Sequence, residues 1–147
     1  MNRQPRMTVL WAGVLAAALL APGCKSKVEE MSTATYVLDL FEKVWGAARE
    51  SLASPQPNLH CLRSVEIVLD GRTRRAVELD YHGANKEMVL AKLDALADAW
   101  TKEMMVMAEP NTFAVKLKSG YTVEHVRTVF NKLDKDFAEI QAMVAGR

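Results

Sequence analysis

Three groups of side chains in this sequence have types that could do chemistry. His60 and Cys61 are adjacent, Met105 and Met107 stand in the run EMMVM, and Glu78 and Asp80 stand two apart in AVELD. A thiol beside an imidazole suggests nucleophilic catalysis, which needs the base within hydrogen-bond reach and a third group to orient it. Neighbouring side chains on a strand or helix point apart, so His60 is poorly placed to serve Cys61. Two thioethers suit soft Cu(I), and on a strand Met105 and Met107 would share a face. The paired carboxylates would serve acid–base work only with geometry to match; across strands they pair more readily with lysines. No C-x-x-C or H-x-x-x-H ligand spacing occurs. Gly83 and Gly120 each stand alone, not in a phosphate-cradling loop, and His82 and His125 flank helix starts. We therefore assign no catalytic residue, expect no cofactor and no metal site, and read the chain as a non-enzyme. A small-ligand or copper carrier using the Met-rich run is the alternative.

The charges set further bounds. Lys plus Arg number 19 and Asp plus Glu 18. Arg3 and Arg6 fall in the first 23 residues, leaving 17 basic against 18 acidic side chains beyond them. A nucleic-acid binder needs a basic field to neutralise phosphates, and this balance argues against one. The basic cluster RTRR at 72–75 and the lysines of AVKLK are the exceptions. Arg72, Arg74, Arg75, Lys116 and Lys118 are the expected partner contacts, if they do more than decorate turns.

The N-terminus reads as an address. Arg3 and Arg6 precede an uncharged run at 7–21, closed by Pro22, Gly23 and Cys24. A spanning helix needs about 20 apolar residues to cross about 30 Å of hydrocarbon, so this shorter run has the layout of a signal peptide. Cysteine after a small residue at its end resembles the lipobox of bacterial lipoproteins. The family's leucine three places before the cysteine is replaced by Ala21, with Leu20 one place too far back, and Pro22 occupies the next position. The resemblance covers residues 1–24. It implies that 1–23 are removed and that Cys24 becomes the lipidated first residue, with 24–27 as tether and 28–147 as one domain. Lys25 after the cysteine implies the outer membrane, facing the periplasm. Ala21 and Gly23 also fit ordinary small-x-small cleavage. Cys24 and Cys61 could then form a disulfide in a secreted soluble protein.

The elements that must position these residues show two periods. In 28–52, Met31, Ala34, Leu38, Phe41, Trp45, Ala48 and Leu52 recur in steps of three and four, as on one helix face. Prolines at 55 and 57 end it. An internal repeat follows, 64–103 over 104–145. AVEL at 76–79 aligns with AVKL at 114–117, and Gly83 with Gly120. Beyond each glycine, Val89, Leu93, Leu96 and Trp100 match Val126, Phe130, Leu133 and Phe137 at helical steps. Before each glycine the period is two. Val65, Ile67 and Leu69, then Val77, Leu79 and Tyr81, flank Asp70-Gly71, a hairpin signal. Met105 and Met107, then Phe113, Val115 and Leu117, flank Pro110-Asn111.

The expected fold is therefore α+β: a long N-terminal helix, then two ββα units making a two-layer sandwich with a four-stranded antiparallel sheet. The order resembles a permuted ferredoxin-like duplication, of the kind that mediates pairing in periplasmic domains of bacterial assembly proteins. The alternative is an all-α four-helix bundle, with 57–81 as one helix. That helix would hold Gly71 mid-run, at about 1 kcal/mol, and Arg72 in its apolar stripe. The expected role is a lipid-anchored, non-catalytic binding or assembly component of the cell envelope. Its expected partners are the membrane, an envelope protein and a second copy of the chain.

Overall fold

A computed structural model describes residues 33–112 and 114–146. The chain forms α1 (Thr33–Ala53), α2 (His60–Leu69), α3 (Arg72–Asp80), α4 (Lys86–Ala99) and α5 (Val123–Ala145). A single π-helical turn, Trp100–Met104, and a 3-10 turn, Met105–Met107, extend α4.

The long first helix buries the stripe that its sequence spacing marks. Ala34, Leu38, Phe41, Trp45, Ala48 and Leu52 are all in the core; Met31 lies outside the described residues. Helices α2 and α3 pack against α1, and α4 packs against α3 and α5. The two sets of helical positions after Gly83 and Gly120 are also buried, Val89 to Trp100 on one side and Val126 to Phe137 on the other. Aromatic rings knit these layers. Trp45 stacks on Phe137 at 4.6 Å and on Phe130 at 5.2 Å, and the Trp100 ring lies 5.5 Å from that of Trp45. Such pairs add about 0.5–1.5 kcal/mol each beyond area burial.

The expected α+β sandwich is overturned: among the described residues there is no sheet, and the architecture is all-α. Residues 65–81 are two helices, not a hairpin of strands. Burial decides it. A strand with odd-numbered residues inward would hide Ile67 and Leu79 and expose Val68. Instead Ile67 is 54% and Leu79 63% exposed, while Val68 is 9%. Leu62, Val65, Val68 and Leu69 fall on one side of a 3.6-residue period, and Thr73, Ala76 and Val77 continue it in α3.

The turn at Asp70-Gly71 is real, but it joins helices. Gly71 sits at φ 80°, a conformation glycine adopts at no steric cost. Its carbonyl accepts from Arg75 N at 2.8 Å, starting α3. The buried Thr73 hydroxyl donates to Val68 O at 2.7 Å, satisfying a carbonyl that the end of α2 leaves free. Breaking the chain here also removes the two objections to a single helix over 57–81. Gly71 is not mid-helix, and Arg72 is exposed.

The second expected hairpin is reduced to one antiparallel bridge between Ala108 and Leu117. Glu109 N donates to Lys116 O and Lys118 N to Met107 O, each at 2.8 Å. Met104 and Met107 are buried within helical turns, and Met105 is half-buried. The sequence Pro110-Asn111 does turn the chain, with Asn111 at φ 60°.

Candidate functional site

The helical hairpin α2–α3 leaves a cleft of about 420 Å³ against α4. Its apolar wall is Ile67, Leu69, Leu93, Ala97 and Trp100; Glu66, Asp70, Arg74 and Asp94 supply its charges. The spacing of α4 places Leu93, Ala97 and Trp100 along one side, and the turn brings the end of α2 opposite. Concave apolar sites with a few convergent polar groups are the usual form of a ligand pocket.

Most of the charges there are already partnered. Arg63 pairs with Glu66 at 2.7 Å. Arg74 donates through Nε to Asp94 at 2.8 Å and also meets Glu78 at 3.4 Å. The Asp94 hydrogen bond and charge hold the Arg74 guanidinium above its ordinary pKa. Asp70, at the C-terminal end of α2, is exposed and makes no side-chain bond or ion pair among the described residues.

Trp100 is the unusual member. It is 1% exposed, yet its indole Nε1–H meets no acceptor among the described residues. Trp45, a buried indole as well, donates to Asp134 at 2.7 Å. An unpaired buried donor costs about 1–3 kcal/mol. Trp100 also opens the π-helical turn, a rare irregularity found frequently at functional sites.

The residues singled out from sequence are scattered. Arg72, Arg74 and Arg75 lie in the first turn of α3, and Arg75 pairs with Glu78 at 3.1 Å. Lys116 and Lys118 are exposed in the segment before α5, on the Ala108–Leu117 bridge. They do not stand on a common sheet face, since no sheet exists among the described residues. Glu78 is taken up by arginines, and Asp80 lies 3.7 Å from His82 and accepts from Ala34 N at 3.4 Å. His60 is exposed at the start of α2. Cys61 is a free, half-buried thiol near Ser51; burial pushes its pKa up, against the needs of a nucleophile. His125 belongs to a capping box with Thr122 at the start of α5. No group of three His, Cys, Asp or Glu among the described residues is placed to hold a metal ion, and Met104 and Met107 pack into the core. Cys24, the signal segment and the tether lie outside the described residues.

Sequence reasoning missed the cleft. Trp100 reads as one more position in a helical stripe and Asp70 as a turn former. Whether an indole finds an acceptor depends on which helix faces it, and no local pattern carries that. The chain matches no protein-family model, no curated protein and no solved structure. Among the described residues, no helix is long and apolar enough to cross a membrane.

Proposed function

We propose that the chain is an exported lipoprotein of the bacterial cell envelope, anchored through Cys24 and facing the periplasm from the outer membrane. Its helical body serves as a non-catalytic binding component. The observation that carries this reading is the N-terminal order: Arg3 and Arg6, an uncharged run at 7–21, then Gly23-Cys24. The half-apolar cleft beside α4 supports the binding role. Several acyl chains on one cysteine would hold the protein firmly, because a single chain anchors only marginally.

Intact-mass analysis of the protein from membranes tests the anchor. The expected mature chain begins at Cys24 and carries diacylglycerol and an amide-linked acyl group. Cys24→Ser is expected to lose the lipid and leave the membrane fraction. A mature chain with unmodified Cys24, or one still beginning at Met1, overturns the proposal.

A further inference from the structure

We infer that the end of the helical body where the chain enters from Cys24 seats on the lipid surface through Tyr36, Leu79 and Met88. The inference rests on the lipid anchor proposed above and goes beyond it: the acyl chains hold the protein at the bilayer, and these side chains fix which end meets it. Three features converge. Among the described residues, Leu79, Met88 and Tyr36 are the most exposed large apolar side chains, at 63%, 60% and 58%. All three lie at one end of the body. Tyr36 is in the first turn of α1, Leu79 in the last turn of α3 and Met88 in the first turn of α4. Hydrogen bonds draw those ends together. Ala34 N donates to Asp80 at 3.4 Å, Tyr81 Oη donates to Asn85 at 2.8 Å, and Asn85 Nδ2 donates to Met143 O, near the end of α5, at 2.8 Å. The chain also enters at this end. Thr33 opens α1 nine positions after Cys24, and nine residues reach at most about 30 Å even when extended. Exposed apolar groups gathered in one place mark sites of contact with proteins or membranes, and the anchor selects the membrane. A tyrosine suits the membrane–water boundary, with its ring toward the apolar side and its hydroxyl toward water. The attraction is apolar rather than ionic. Asp39 and Glu87 stand exposed at this end, with Lys86 half-buried, a mixed set unlike the basic cluster that binds anionic headgroups.

The test uses the full lipidated chain in vesicles of phosphatidylethanolamine and phosphatidylglycerol. In a Cys61→Ala background, Tyr36→Cys, Leu79→Cys and Met88→Cys each carry a fluorophore, and a lipid spin-labelled on its headgroup quenches any label at the surface. Tyr121→Cys is the reference. It stands at the opposite end, where Arg127 of α5 donates to Leu52 O and Ser54 O beyond the length of α1. The expected result is strong quenching at the first three positions and little at Tyr121, unchanged by added salt because the contact is apolar. Adding Leu79→Glu and Met88→Glu to the Tyr36→Cys chain is expected to remove most of the quenching there. That arm separates seating from tethering, since a body swinging freely on its tether would be quenched alike in both chains. Quenching at Tyr36 that is indifferent to the two glutamates, or equal at Tyr36 and Tyr121, overturns the inference. So does shielding of the three labels from iodide in the unlipidated Cys24→Ser chain without vesicles, which would make a second copy of the chain the occupant. Each of these results leaves the anchor standing. An unmodified Cys24 in the mass measurement removes the anchor and this inference together.

Discussion

The Trp45 indole donates through Nε1 to Asp134 Oδ1 at 2.7 Å, tying the middle of α1 to the middle of α5. Arg49, one turn along α1, grips the same carboxylate with Nη2 at 2.6 Å and Nε at 3.1 Å. Hydrogen bonds to an ionised carboxylate are stronger than neutral ones, and this one closes the polar end of the Trp45–Phe137 stack.

Removing the acceptor is expected to be expensive. Asp134→Ala leaves the Trp45 N–H buried and unpaired, at about 1–3 kcal/mol. Urea unfolding is expected to show a lower midpoint with an unchanged slope. Asp134→Asn keeps an acceptor and isolates the charge. Burial works to raise the Asp134 pKa, but the Arg49 and Trp45 hydrogen bonds outweigh it, so the folded value lies below the ordinary carboxylate range. The charge therefore stabilises fully above the unfolded-state value of about 4 and is lost as pH falls through the depressed folded value. The stability gap between wild type and Asp134→Asn is expected to shrink below about pH 4. A gap constant from pH 7 to 3 would contradict this account.

Helices α2 and α3 reverse the ordering of two substitutions that a strand hairpin would predict. Leu79→Lys changes an exposed side chain and is expected to alter stability by less than about 0.5 kcal/mol. Val68→Lys places an ammonium in the α2 core face and is expected to unfold the chain or cost more than about 3 kcal/mol. Thermal melts of the two variants measure the difference.

The start of α5 carries a capping box. His125 N donates to Thr122 Oγ1 at 3.4 Å, and Thr122 N donates to His125 Nδ1 at 3.0 Å. Thr122→Ala is expected to cost about 1 kcal/mol. His125→Gln keeps a side-chain acceptor at the third helical position and is expected to cost less than His125→Ala. Denaturant midpoints of the three variants check the order.

Cys61 is expected to react slowly. Burial raises its pKa, against smaller lowering effects from Ser51 and nearby backbone. Since the thiolate is the nucleophile, iodoacetamide alkylation at neutral pH is expected to be slower than that of free cysteine. The rate should still climb above about pH 8.5, the ordinary thiol value. Ser51→Ala removes a lowering contact and is expected to slow alkylation further. A rate that levels off below pH 8 would show that burial does not govern this thiol.

How far the sequence speaks depends on element length. Over α1, α4 and α5 the apolar residues recur through several turns, and only a helix brings Leu38, Trp45 and Leu52, or Val126, Leu133 and Ile140, to one side. The turn at Asp70-Gly71 is equally local, written in two consecutive residues. Over α2 and α3 the signal is ambiguous for a geometric reason. Val65 and Leu69, and Val77 and Tyr81, are four apart, and four is both one helical turn and two strand repeats. What separates the two is the fate of the residues between them, and that fate is tertiary. Val68 is buried because α2 coils against α1, and Ile67 is left facing the cleft. The same holds for the indoles. The sequence alone determined that Trp45 and Trp100 would point inward. Only the packing of α5 beside α1 decided that Trp45 meets Asp134, while the Trp100 N–H meets no acceptor among the described residues.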